Sequence, residues 1–497
     1  MIKVSNKVVK KQHNFWNNIL FHPTDAVEDS WGKRILDKVA EDKCAKTVRV
    51  YTMFEDIVYI DMDGQLQYDF RTSDLRLDYL VEKGFDLLLA YAAMPDCIAK
   101  SVDEKTSVSF NKTRYKGKLF NTSPPSDYAL WEEVCYQYTK HIVERYGIET
   151  VSKWKMQCFN EPDIICFFMS SLPRTETAQR LKEYCKLYEA FEKGIRRVSD
   201  EIKIGGPSLA LYYEEFLRPW LGYVKDNNLK LDFISFHNYG HLAFYEAKKL
   251  GVNALNVDNH FQKHEKVMNV INECGFEDTP IIIDEWGAAG GGFKNKTQVP
   301  ELIFRETEVF AAYFAKLIYR HINSDYNIDT LMICLSGQHE MTEEFTGFRG
   351  FFTLNNIAKP IYNAHALAAK LKENLLEYRV ENENLYVIPT KDDEDNFAVL
   401  LSYSSDNFEE DLPVIEETVK FDCEMQNKEV TVWCIDKENT NPYRLYERMG
   451  IEIPTAEEIS ILKEEGKLKP IAQLKGENEI KIKLSSNATY LITVSEE

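Results

Sequence analysis

From about residue 14 to residue 375, short apolar runs alternate with longer stretches whose apolar residues recur every three or four positions. The runs read as buried parallel strands and the longer stretches as helices lying on them. Eight runs fit the strand pattern: Asn14–Leu20, Thr47–Phe54, Phe85–Met94, Lys153–Glu161, Ile202–Leu209, Leu231–Tyr239, Pro280–Gly287 and Asp329–Ser336. Between and after them the spacing predicts helices over Ser30–Cys44, Arg71–Lys83, Asp127–Tyr146, Thr175–Ser199, Tyr213–Asn227, Phe261–Cys274, Glu301–Ile322 and Ile361–Asn374. Gly84, Gly147 and Gly275 supply stop signals, and Ser126 or Asp127 supplies a start. Eight strand–helix units in about 360 residues predict an α/β fold, a (β/α)8 TIM barrel whose chemistry collects at the C-terminal strand ends. An open doubly wound sheet is the alternative, disfavoured because no Gly-x-Gly-x-x-Gly opens a helix.

Beyond about residue 376 the apolar period shortens to two, in Leu385-Tyr-Val-Ile-Pro, Phe397-Ala-Val-Leu-Leu-Ser-Tyr, Val430-Thr-Val-Trp-Cys-Ile, Ile480-Lys-Ile-Lys-Leu and Thr489-Tyr-Leu-Ile-Thr-Val. Acidic turns separate these runs, which predicts an antiparallel β-sandwich. A helix over Ala456–Lys463 interrupts it, after a loop read at Asn441-Pro-Tyr-Arg-Leu-Tyr. The first residues alternate too. The expected organisation is therefore a strand within 1–12 joining the sandwich, a catalytic barrel over 13–375 and the sandwich over 376–497.

Two of the barrel runs end in acid. Lys153-Trp-Lys-Met-Gln-Cys-Phe closes on Asn160-Glu161-Pro162-Asp163, and Pro280-Ile-Ile-Ile closes on Asp284-Glu285-Trp286-Gly287. A single strand-end glutamate is usually solvated. Two of them, ending the fourth and seventh strands of one barrel, would face each other across its mouth, the minimum equipment for glycoside hydrolysis. One carboxyl must hold a proton for the leaving oxygen, and the other must stay ionised. Between them Phe233-Ile-Ser-Phe ends in His237-Asn-Tyr239. A phenol at Tyr239 can donate to a carboxylate and keep it ionised, while His237 reads equally as a structural hydrogen-bonding residue. Asn160 suits a sugar hydroxyl beside the reacting carbon. Asp163 and Asp284 read as loop caps. Phe159, Trp286, Tyr51 and Phe293 stand near the expected mouth, where an aromatic either stacks on a sugar or packs in the core, and of these Trp286 and Tyr51 are expected to bind the substrate. The expected ligand is an oligosaccharide or small glycoside, and the reaction needs neither metal nor cofactor.

Composition narrows the partners. At 497 residues the chain exceeds one ordinary core, and a formal net charge of −20 repels nucleic acid and anionic membrane. No apolar stretch of signal or membrane-span length precedes or interrupts the charges, so a soluble cytoplasmic protein is expected. The ten cysteines form no Cys-x-x-Cys pair and read as reduced thiols.

The two acid motifs resemble the paired signatures of clan A glycoside hydrolases, and the wider chain resembles family 39, with its β-xylosidases and α-L-iduronidases. The likeness extends through Tyr68-Asp-Phe, Ala92-Ala-Met-Pro95, Ser123-Pro-Pro-Ser-Asp127-Tyr with Trp131-Glu, Glu144-Arg-Tyr-Gly-Ile-Glu149, Lys203-Ile-Gly-Gly-Pro207, Leu231-Asp-Phe-Ile-Ser with His237, and Asn441-Pro with Met449-Gly450. It implies a retaining mechanism with Glu161 as acid/base and Glu285 as nucleophile, and Asn160, His237 and Tyr239 in the sugar pocket. It also implies β-xylosides or related neutral glycosides as the default substrates, and homo-oligomers by analogy. The chain departs from the family where Tyr51-Thr52 replaces a His-Gly pair, Ala90 a glutamate, Cys334 a tryptophan, and Gly287-Ala-Ala-Gly-Gly-Gly292 an Asn-Thr-Ser-like run. A non-catalytic carbohydrate binder and a transglycosylase using the same two glutamates are the alternatives.

Overall fold

The computed structural model describes residues 1–21, 27, 30–106, 119–212, 214–290, 294–335, 341, 343–423 and 425–496. All eight apolar runs of the first part become strands, Asn18–Phe21, Thr47–Tyr51, Asp86–Tyr91, Lys155–Cys158, Lys203–Leu209, Phe233–Asn238, Ile281–Trp286 and Ile328–Leu335. They are hydrogen-bonded in sequence order into one closed parallel barrel. The expected ends at Ser336 and, for one helix, Tyr213 lie outside the described residues.

Eight principal helices surround the barrel: Ser30–Glu41, Arg71–Glu82, Tyr128–Tyr146, Thr177–Arg196, Glu214–Asp226, Val257–Glu273, Glu308–Ile322 and Pro360–Ala368. The stretch read as one helix from Glu301 is two pieces. Pro300 opens a 3-10 segment, Pro300–Glu306, and Thr307 caps a fresh α-helix by accepting from Val309 N at 3.3 Å. The last helix stops at Ala368, short of the expected Asn374, and that residue opens a strand, Asn374–Arg379, that the sequence pattern does not mark.

That strand belongs to a nine-stranded sheet that also contains Ile2–Lys11, which pairs antiparallel with Asn374–Arg379 and parallel with Ile415–Asp422. Ile415–Asp422 and Pro470–Lys475 were not anticipated, because their alternation is diluted by charged residues on exposed faces. The sheet folds over on itself. Phe397 and Phe421 lie four ladder steps apart, yet their rings meet edge-on at 5.7 Å. Alternation then assigns the two faces: Val399 and Leu401 enter the sandwich core, whereas Ala398 and Leu400 pack toward the barrel. The expected loop at Asn441 is a helix, Pro442–Met449, capped by Asn441 and closed by Gly450 at φ 64°. All ten cysteines are unpaired. Among the described residues no helix is long and apolar enough to cross a membrane.

Candidate active site

The fourth strand ends at Cys158, and the chain turns through two left-handed residues, Phe159 at φ 64° and Glu161 at φ 46°. That turn aims consecutive side chains into the barrel mouth, which a regular strand cannot do. It is tied to the loop after the fifth strand. Glu161 N donates to Ser208 O at 3.0 Å, and the Asp163 carboxylate accepts from Ala210 N and Leu211 N at 2.9 and 2.8 Å. Burial pushes the Asp163 carboxyl up to about 7 against those two donors.

The seventh strand delivers Glu285 by a different device. Ile281 to Ile283 pair in step with Ile234 to Phe236, but Glu285 then pairs with His237, so Asp284 is an extra residue. This irregularity lets both Asp284 and Glu285 join the polar interior and sends Trp286 outward. One carboxylate oxygen each from Glu161 and Glu285 and one ring nitrogen of His237 lie within 4.8 Å of one another. His237 Nδ1 stands 2.9 Å from Glu161 Oε1 and 3.5 Å from Glu285 Oε2.

Arg49, fully buried on the second strand, is the hub beneath them. Its guanidinium donates to Glu285 Oε1 at 3.0 Å, Gln157 Oε1 at 2.9 Å, Asn160 Oδ1 at 2.7 Å and Ser208 Oγ at 3.0 Å, and lies 3.3 Å from Asp284 Oδ2. Glu285 also accepts from Tyr51 OH at 3.3 Å and from Tyr239 OH at 2.8 Å, and Arg349 donates to the Tyr239 hydroxyl. Asp284 accepts from Gln157 Nε2 at 2.7 Å and Ser208 Oγ at 2.6 Å.

These neighbours push the two glutamates in opposite directions. For Glu161, burial dominates and raises its proton affinity, partly offset by His237. For Glu285, burial is outweighed by His237, Arg49 and Arg349, so its carboxyl is held below the ordinary range. Burial also opposes a charge on His237, but Glu285 and Asp284 prevail and hold it protonated up to about 10. Two of the cluster's carboxylates are thus already balanced by a guanidinium and an imidazolium, a setting that does not suit an added metal cation although three ligand-type atoms converge.

The structure brings Asn160, Glu161, His237, Tyr239, Tyr51 and Glu285 together. Asn160 is fully buried, and its Nδ2 has no partner among the described residues. Trp286 is not among them. Its indole lies on the outer face of the strand, stacked on Phe314 at 5.7 Å and edge-on to Phe310, with no exposure. Phe159 likewise packs on Phe168 at 5.4 Å in the core. Phe293, Gly291 and Gly292 lie outside the described residues. Asp284 is no loop cap but part of the Arg49 network. Gly287 has a steric reason: a Cβ there would stand 2.9 Å from the Tyr239 ring.

The profile of the family described as "Glycosyl hydrolases family 39" matches residues 1–477. The chain belongs to glycosyl hydrolase family 39. It is 26% identical over 462 residues to a β-xylosidase from Caldicellulosiruptor saccharolyticus, covering 89% of this chain and 86% of that one. To the Homo sapiens α-L-iduronidase it is 24% identical over 297 residues, 56% of this chain and 38% of that enzyme. A monomeric β-xylosidase crystal structure from Caulobacter crescentus superposes with a TM-score of 0.82 at 18% identity, over 100% of this chain and 99% of that one, a likeness of fold. As a family 39 member the chain is a glycosidase.

Sequence reasoning missed four residues of this family 39 site: Arg49, Gln157, Ser208 and Arg349. Arg49 did leave a signal, because Thr47-Val-Arg49-Val-Tyr51 places one charge inside a buried strand, where it must be paired. Gln157 sits in the same way in the fourth strand. Arg349 lies in an irregular segment with no periodicity to read. Three of the four departures from the family's pattern also meet here. Tyr51 and Ala90 are register partners on adjacent strands, and Cys334 lies beside Tyr239, its thiol pushed up to about 12 by burial.

Proposed function

We propose that this family 39 chain hydrolyses O-glycosidic bonds with retention of anomeric configuration, Glu285 acting as nucleophile and Glu161 as acid and then base. First, a Glu285 oxygen bonds to the anomeric carbon as the bond to the leaving oxygen breaks, and the Glu161 proton passes to that oxygen. Next, ionised Glu161 takes a proton from water, whose oxygen bonds to the anomeric carbon and releases Glu285.

The spacing of the two carboxyls carries this reading. One oxygen of each carboxyl lies within 4.8 Å of the other's, a closeness that favours the about 5–5.5 Å group separation of retaining pairs over the about 6.5–9.5 Å of inverting pairs. The electrostatics support the same division of labour, with the proton favoured on Glu161 and disfavoured on Glu285. The unpartnered Asn160 Nδ2 suits a hydroxyl next to the reacting carbon. Tyr51 and Tyr239 suit holding the nucleophile in line, and His237 suits orienting Glu161.

β-Xylosides are the default substrates, on the likeness to the named β-xylosidase, with related neutral glycosides beside them because Tyr51, Ala90 and Cys334 reshape the lining. The test is a panel of chromogenic glycosides with the anomer of the first product read by NMR. The expected product keeps the substrate's configuration, and turnover disappears in Glu285→Gln. An inverted product, or turnover surviving that substitution, removes the double displacement. A product larger than the substrate identifies transfer to a sugar acceptor.

A further inference from the structure

A second concavity, of about 960 Å³, opens where the barrel's first and eighth helices meet the β-domain. Its floor is apolar, with Ile35 and Phe352, and the half-buried indole of Trp433 forms one wall. Its rim is basic: Arg34 and Lys43 come from the first helix and the turn after it, Lys370 from the turn after the eighth, and Lys463 from the helix Ala456–Glu465.

Among the described residues, none of these four cations has a carboxylate partner. Three carboxylates also line the groove, and each is already engaged. Asp37 is held by Lys83 at 2.7 Å, Glu41 and Asp42 by Lys38 at 2.9 and 3.3 Å, and Asp42 also by the Tyr362 hydroxyl. On a chain of net charge −20, this clustering makes a locally basic rim among the described residues, one that suits an anionic ligand. Lys370 Nζ sits over the Trp433 ring, 5.4 Å from its centre, so one wall of the groove carries both a cation and an apolar indole.

That pairing suits a ligand with anionic groups on rings that have C–H faces. The rings would lie on the indole while carboxylates or sulfates met the lysines and arginine. We infer that this groove is a non-catalytic binding site for an acidic saccharide chain, one bearing carboxylate or sulfate groups. Its anionic character rests on the groove alone, and its saccharide character rests on the glycosidase reading.

Calorimetric titration of the full chain carrying Glu285→Gln tests this with four probes: an oligogalacturonate tetrasaccharide, a sulfated heparin-derived tetrasaccharide, neutral xylotetraose, and inorganic tripolyphosphate. At least one acidic tetrasaccharide should bind, more weakly as salt rises from about 50 to about 500 mM. Adding Lys370→Glu with Lys463→Glu should weaken it by about tenfold or more, and Trp433→Phe should weaken it too. Preference for the uronate or the sulfated probe identifies the anionic group. The charge-reversed pair in an otherwise unaltered chain should keep its circular dichroism and its turnover of a small glycoside, so misfolding is seen separately. No binding of either acidic probe, equal binding of tripolyphosphate, or an acidic-probe affinity indifferent to charge reversal overturns the site, whereas any xylotetraose bound in the mouth should be unchanged by that reversal. Failure of the glycosidase reading would appear in the turnover of the unaltered chain and leaves these titrations readable.

Discussion

Two buried polar clusters in this barrel respond to burial in opposite ways. In the mouth, Arg49, His237, Asp284 and Glu285 are all nearly inaccessible, yet each charge lies within 3.6 Å of an opposite one. Between the sixth and seventh helices, His260, His264 and His321 are as deeply buried, packed against one another and aromatic rings, and among the described residues their ring nitrogens find no carboxylate. His260 Nε2 and His321 Nε2 are 3.3 Å apart, and the His264 ring lies 5.2 Å from His321 and 4.5 Å from Tyr326. Desolvation holds all three well below the usual histidine range, His264 down to about 3. The same penalty that keeps these rings neutral is overcome in the mouth, where His237 stays charged up to about 10. Opposite charges at contact distance, and not burial itself, decide whether an interior group is ionised at neutral pH.

The sharpest way to break this comparison is to remove a charge from the mouth. Glu285→Gln is nearly isosteric and should lower kcat by about 10⁴-fold or more, read with the best chromogenic glycoside of the panel. Second in size is Arg49→Met, which strands Asp284 and Glu285 without their guanidinium. It should cost about 3–5 kcal/mol of stability by denaturant titration, because one member of a buried pair is left uncompensated. A loss under 1 kcal/mol would mean that water already reaches the network.

How far this contrast was readable beforehand depends on the element. The barrel strands were plain because runs such as Ile281-Ile-Ile end in turn residues, and the glutamates were plain because they closed those runs. Trp286 was misread for a reason that period-two alternation supplies. Once Glu285 faces inward its successor must face outward, and only the extra residue at Asp284 lets two neighbours share the interior. Asn160 and Glu161 escape the same restriction through positive φ at Glu161, which hydrophobic pattern does not record. Arg349 and Ser208 reach the site through tertiary approach, and the histidine trio is scattered over two helices whose amphipathic pattern marks it only as core.

A smaller perturbation leaves every charge in place. Tyr239→Phe deletes the 2.8 Å hydrogen bond to Glu285 Oε2 and the hydroxyl that Arg349 addresses. A hydrogen bond to a charged group contributes about 1.5–3 kcal/mol, so kcat/KM should fall about tenfold to a hundredfold. Glu285 would also ionise less readily, and the acid limb of the pH profile should move to higher pH. An unmoved limb would mean that Arg49 and His237 alone set the state of the nucleophile.

The smallest effect belongs to the uncompensated cluster and depends on pH. His264 binds its proton near 6.5 when unfolded and near 3 when folded, so the unfolded chain carries the extra proton between those values. Stability is therefore unaffected above about pH 7 and falls as pH drops below about 6.5. By pH 5 the loss from this ring alone is about 2 kcal/mol. His264→Phe keeps an aromatic ring against Tyr326 and His321 while deleting the titration. Denaturant titrations should find the variant within about 1 kcal/mol of the parent at pH 7.5 and about 2 kcal/mol more resistant to the drop to pH 5. If parent and variant lose the same amount, the ring is reached by water or by a partner that accepts its proton, and the two clusters are not the opposites their contacts imply.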